Sequence, residues 1–314
     1  MSTAAQYNYL DPKTLDRIKR LDVRARLVVE GFITGQHRSP YHGFAVEFAT
    51  HREYSPGDDL RHIDWKVWSR SDRLYIKEYE EETNLKCTIL LDASKSMKYG
   101  AQPHPRNGEN LTWRKFDYAA TAAASLAYLL QQQQDAVGLV TFTTKVQKNL
   151  PASSHPNHLK LMLHELDLAQ PDEKTDVATV FPELARQIRR RGMIVLLSDL
   201  FMPIETLNES LKQFRLRKHE VLVFHVMDND ELTFPFEDNT LFRGLEDPIQ
   251  LHTEPRALKR SYLEAVERFL ADVRKTCASA GVDYVLMNTK DPLDAVLGSY
   301  LTFRQKIRRT ARHH

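Results

Sequence analysis

Cysteine is almost missing from this chain. Only Cys87 and Cys277 occur in 314 residues, with no CxxC and no Cys/His pairing at zinc spacing. That removes disulfide frameworks, zinc ribbons and dithiol redox centres together, and it fits a reducing cytosol. Charge of one sign is also lacking: 44 Lys and Arg against 42 Asp and Glu leave a formal net charge of +2, so no overall attraction to nucleic acid or anionic lipid is expected. No run approaches the ~18 apolar residues that a membrane span requires. The N-terminal stretch MSTAAQYNYLDPKTLDRIKRLD has no apolar h-region, so neither export nor anchoring is expected and the chain reads as cytoplasmic. Absent too are GxxxxGK(S/T), GxGxxG after a strand, GxSxG and HExxH. Nucleotide-binding, serine-hydrolase and zinc-protease readings therefore have no support.

What is present is 42% apolar and 9% aromatic residues, enough to bury a sizeable core in a chain of this length. Residues 12–30, PKTLDRIKRLDVRARLVVE, carry Leu15, Ile18 and Leu21 at helical spacing, with Val23 and Leu27 continuing the stripe. This predicts an amphipathic helix packed on the rest. A Gly-, aromatic- and charge-rich stretch of loops and short strands follows. From residue 86 apolar runs alternate with amphipathic segments. Strands are expected at 87–92, 136–142, 193–199, 220–228 and 283–289, and helices near 115–133, 156–168, 178–190, 204–217, 256–279 and 291–305. Residues 233–253 break the alternation and read as an inserted loop or small hairpin. Continuous apolar strands separated by helices mean a doubly wound, mainly parallel α/β sheet covered on both faces. The expected organisation is a small N-terminal α+β unit over 1–84, the α/β domain over 85–305 and a basic tail over 306–314.

In such sheets functional atoms collect beyond the carboxyl ends of the strands. The first apolar strand ends Asp92-Ala-Ser94-Lys-Ser96, another ends Ser198-Asp199, and Thr175 lies in a loop before a helix. Alternate residues leaving a strand can point the same way, so Asp92, Ser94 and Ser96 can converge on one ion. With Thr175 and Asp199 they form an oxygen-only set suited to a hard octahedral cation, Mg²⁺ or alternatively Mn²⁺, with one position left open. A haloacid-dehalogenase-type phosphatase would need a second Asp where Ser94 stands, and a two-metal nuclease would need more carboxylates. Two carboxylates leave a bound ion electrophilic, ready to capture an Asp or Glu from a partner.

DASKSM, Thr175 and LLSDL resemble the metal-ion-dependent adhesion site of von Willebrand factor type A (vWA) domains. HREYSPGDDLRHIDWKVWSRSDRLYIKEYEEE, LLDASKSM, QQDAVGLVTF, LLSDL and HEVLVFHVMD together resemble the bacterial family called domain of unknown function 58, over about residues 12–305. Some relatives carry two membrane helices before this region, so a soluble short form is implied. The resemblance implies a vWA-like fold, no catalytic activity, a metal site at Asp92, Ser94, Ser96, Thr175 and Asp199, and partnership with a MoxR-type AAA+ ATPase or its client.

In REYSPGDDLRHIDWK, Pro56-Gly57 is a turn signal and opposite charges crowd together. Arg52, Asp58, Asp59, Arg61, Asp64 and Lys66 are expected to form an ion-pair network joining the two units, with Trp65 and Trp68 as buried anchors, or else a binding surface. Two rival functions remain. A metal-dependent hydrolase would take its base from His42, His51 or His62. A nucleic-acid binder would use the basic tail, Arg304 to Arg312.

Overall fold

The structure, a computed structural model, describes residues 21, 23, 25, 26, 28, 29, 50–53, 75–78, 85–100, 113–171, 177–188, 191–246, 249–293 and 298. The chain divides into two compact units, Met1–Gly35 with Leu85–His314, and Gln36–Asn84. In the smaller unit β1 (Thr50–Glu53) pairs antiparallel with β2 (Tyr75–Glu78), Arg52 standing opposite Ile76.

The larger unit is built on six strands, β3 (Lys86–Asp92), β4 (Ala136–Phe142), β5 (Val146–Ser153), β6 (Met193–Ser198), β7 (Glu220–Met227) and β10 (Asp283–Asn288). Their order across the sheet is β10-β7-β6-β3-β4-β5, parallel throughout except for the antiparallel edge strand β5. Among the described residues, the α-helices that follow β3 are α1 (Lys115–Gln132), α2 (Pro156–Leu168), α3 (Val177–Gln187), α4 (Ile204–Leu216), the short α5 (Asn229–Thr233) and α6 (Pro255–Ser279). Between α5 and α6 stands an antiparallel hairpin of β8 (Thr240–Arg243) and β9 (Gln250–Thr253), where the sequence predicts an insertion.

Alternation along the strands divides the core in two. Cys87, Ile89 and Leu91 of β3 pack in one cluster with α1 and α2, while Leu90 packs in the other with α3, α4 and α6. Both faces are therefore covered, which is why these strands read as unbroken apolar runs. Helix α1 is Ala-rich on its buried side, so it lies close to the sheet. The helical residues Leu21, Ala25, Val28 and Val29 are buried in the α1-side cluster. The N-terminal helix thus belongs with the larger unit, although the sequence division counts it with residues 1–84. Its apolar stripe needs a partner surface, and the α1-side core supplies one.

Strand β5 is not predicted from the sequence. Only Leu150 along it is buried, and Pro151 is tolerated because β5 is the sheet edge. Gly138 in β4 allows its irregular pairing with β5, since a Cβ there would stand 2.7 Å from the Leu150 carbonyl oxygen. Most of the helix expected over 291–305, and the tail over 306–314, lie outside the described residues.

Candidate metal and partner site at the switch point of the sheet

From β3 the chain winds outward through β4 and β5, then returns to lay β6 against the other side of β3. Connections from β3 and β6 thus leave in opposite directions, opening a crevice beyond their carboxyl ends where doubly wound sheets carry their ligand chemistry. Asp92 closes β3, and Ser198-Asp199 closes β6.

Asp92 is 1% exposed. Its Oδ1 accepts the Ser94 backbone N–H (2.9 Å) and its Oδ2 accepts the Ser198 hydroxyl (2.6 Å). The Ser198 hydroxyl oxygen in turn accepts the Leu200 N–H at 3.0 Å. Burial above all, with the charge of Asp199, pushes the Asp92 carboxyl up to about 7, against the lowering effect of the hydrogen bonds from Ser198 and Ser94. The Ser94 and Ser96 hydroxyls are 2.9 Å apart, Ser96 lying in the 3-10 turn Lys95–Lys98.

Asp199 is equally buried. Its Oδ2 accepts from Lys115 Nζ at 2.8 Å, and its Oδ1 stands 3.4 Å from the Phe201 N–H. Lys115, the first residue of α1, is wholly buried and donates also to Glu231 Oε1 at 2.8 Å. Burial works against its charge, but Asp199 and Glu231 outweigh that and hold its pKa above the ordinary lysine value. Glu231 serves twice, because its Oε2 accepts the Asp228 N–H and so closes the capping box of α5. Burial raises its pKa despite Lys115.

His225 supports the site from β7. Its Nε2 lies 2.8 Å from the Asp199 carbonyl oxygen and its Nδ1 2.9 Å from the Tyr284 hydroxyl. A carbonyl can only accept, so Nε2 carries the proton and Nδ1 accepts from Tyr284. Burial lowers the imidazole pKa to about 4. Leu200, directly after Asp199, takes the left-handed conformation at φ 55° while fully buried. That conformation costs on the order of 1 kcal/mol or more in a non-glycine residue, and it turns the chain sharply at the site.

The donor set formed by Asp92, Ser94, Ser96 and Asp199 is all oxygen, as a hard cation prefers. Two adjacent ligands of octahedral Mg²⁺, each at about 2.1 Å, stand about 3 Å apart, a spacing that the hydroxyls of Ser94 and Ser96 match. The residues thus fit an oxygen-ligated ion. Among the described residues no group of three or more His, Cys, Asp or Glu side chains could hold one by itself. Thr175, the fifth expected ligand, lies outside the described residues. Of the expected charge network only Arg52 is described, in β1, while Asp58, Asp59, Arg61, Asp64, Trp65, Lys66 and Trp68 fall outside them.

Sequence reasoning missed Lys115 and Glu231. One local signal existed for Lys115: a lysine opening an Ala-rich helix stands at the positive end of the helix dipole and calls for nearby carboxylates.

In class the larger unit is a doubly wound, mainly parallel α/β sheet with hydroxyls and carboxylates gathered at its switch point. The chain belongs to the family described as "Protein of unknown function DUF58", whose model matches residues 50–270. It is 26% identical over 284 residues to the uncharacterized protein Mb1516 of Mycobacterium bovis, spanning 89% of this chain and 86% of that one. Among solved structures it is similar to an aerotolerance-related membrane protein from Bacteroides fragilis (17% identity, 70% of this chain and 99% of that chain, TM-score 0.47). It is also similar to the SpRpn10 VWA domain (13% identity, 68% and 94%, TM-score 0.40). Among the described residues no helix is long and apolar enough to cross a membrane.

Proposed function

We propose that this chain is a non-catalytic, Mg²⁺-dependent protein-binding module, with Mn²⁺ the alternative ion, serving as adaptor or co-chaperone of a MoxR-type AAA+ ATPase. The observation that carries this reading is the meeting of Asp92, Ser94 and Ser96 with Asp199 at the ends of two adjacent strands. A bound cation would supply an electrophilic position for an Asp or Glu of the ATPase or its client. Ser198 and the Ser94 N–H orient the Asp92 carboxylate toward that role, and Lys115 balances the buried charge of Asp199. The reading is non-catalytic because His225, the histidine that touches Asp199, has both ring nitrogens engaged and is buried. No general base is available from it.

Co-purification of the tagged protein from its own cells in Mg²⁺ tests the reading. Excess EDTA, or Ser96→Ala combined with Asp92→Asn, should release the ATPase or client without unfolding this chain. Added salt should weaken the complex only modestly, because the central contact is coordinate and short-range. Equal retention in EDTA and by the double variant would refute the reading.

A further inference from the structure

The β8–β9 hairpin stands beside the site and carries apolar side chains that the core does not use. It is anchored from beneath. The Phe242 ring stacks on Phe234 at 5.7 Å and meets Phe236 edge-on at 5.2 Å, and Phe234 packs on Tyr262 at 4.5 Å. With Phe242 committed to that cluster, Leu245, Ile249 and Leu251 are left 44%, 68% and 51% exposed. Across from them Phe201, two residues beyond Asp199, is 47% exposed. These four side chains line one cavity of about 490 Å³ that also reaches Ser96. Half of the eight exposed large hydrophobic residues among the described residues are therefore gathered at one groove, and that groove opens onto the candidate metal ligands. Clustering of this kind marks a binding surface, whereas scattered exposed apolar residues do not.

A second observation concerns the junction of the groove with the site. Glu246, at the tip of the hairpin, points its carboxylate at the Ser96 backbone N–H across 3.4 Å. A carboxylate thus already stands at the junction of groove and site, in an orientation an incoming acid could take over.

We infer that the groove selects the partner segment. It takes an extended peptide in which an Asp or Glu is flanked directly by bulky aliphatic residues. The acid displaces Glu246 from Ser96 and turns to the site, and its aliphatic neighbours cover Phe201, Ile249 and Leu251. This rests on the Mg²⁺-dependent binding proposed above and specifies its partner. Burying leucine side chains against the exposed wall provides discrimination that the carboxylate alone cannot.

Two synthetic peptides serve as probes, acetyl-Gly-Leu-Asp-Leu-Gly-amide and acetyl-Gly-Ser-Asp-Ser-Gly-amide, titrated into the full chain with saturating Mg²⁺ and followed by amide shifts in NMR. The leucine peptide should bind at least about fivefold more tightly. Ile249→Ser with Leu251→Ser, both at exposed positions, should abolish that preference. Glu246→Gln should tighten both peptides about two- to fivefold by removing the resident charge. Equal affinity for the two peptides, a preference that survives the serine pair, or binding by neither peptide would overturn the inference. Calorimetry with Mg²⁺ alone separates the two failures. A wild-type chain that takes up no Mg²⁺ defeats the metal reading itself, whereas normal Mg²⁺ uptake without peptide discrimination defeats only the groove.

Discussion

Lys115 Nζ lies 2.8 Å from Asp199 Oδ2 with both side chains buried, and a second 2.8 Å contact ties the same ammonium to Glu231. The Phe201 ring lies 4.7 Å away and closes the site around the charge. One positive charge is thus already built in beside the proposed cation position, and it lets two acidic side chains, Asp199 just beyond β6 and the partly buried Glu231 of α5, approach each other.

Lys115→Met should therefore destabilise the fold by about 3–5 kcal/mol at neutral pH, because the buried Asp199 and the partly buried Glu231 are left without their cation. Adding Glu231→Gln should restore a large part of the loss, so chemical denaturation of both single variants and the pair should show strong non-additivity. Strictly additive losses would sink the idea of a coupled triad. Mg²⁺ should raise the melting temperature of Lys115→Met more than that of wild type, since the added ion meets uncompensated charge.

The Asp92 carboxyl sets the pH behaviour of ion capture. Its folded pKa of about 7 lies above its ordinary 3.8, so the folded state holds the proton more tightly in that interval. Its contribution to stability is full at the acid end and is lost as the pH rises through about 7. Coordination needs the carboxylate, so apparent Mg²⁺ affinity should increase between pH 6 and pH 8, with protons released on binding. Asp92→Asn should abolish ion binding and leave the apo protein about 1–3 kcal/mol more stable at pH 8. Calorimetry in buffers of different ionisation enthalpy reads the proton release, and a pH-independent affinity would contradict this assignment.

His225 runs in the opposite direction. Its folded pKa of about 4 lies below its ordinary 6.5, so its contribution to stability is present above pH 6.5 and is lost as the pH falls through 4. The imidazole should stay neutral at pH 5 as the Nε2–H tautomer, visible in nitrogen-15 spectra of the ring. Tyr284→Phe, which removes the donor to Nδ1, should cost about 1–2 kcal/mol. A charged ring at pH 5 would show that its two hydrogen bonds are misassigned.

Much of this fold is written locally. The unbroken apolar runs of β3, β4, β6 and β7 mark strands buried on both faces, β10 carries such a run although it lies half-buried at the sheet edge, and the 3.6-residue spacing of the helices marks what covers them. Asp92 and Asp199 stand out because each ends such a run, so the sequence by itself determines the class of sheet and the edge where its chemistry gathers. Strand β5 escapes because an edge strand keeps only part of one face in the core and tolerates Pro151. The triad of Lys115, Asp199 and Glu231 joins positions 84 and 116 residues apart, and the groove joins Phe201 to a hairpin some forty residues further on. Nothing in the spacing of neighbours records such meetings. Only tertiary structure decides them, because a buried charge takes whichever opposite charge the packing delivers, and an apolar wall exists only where two distant segments come to face each other.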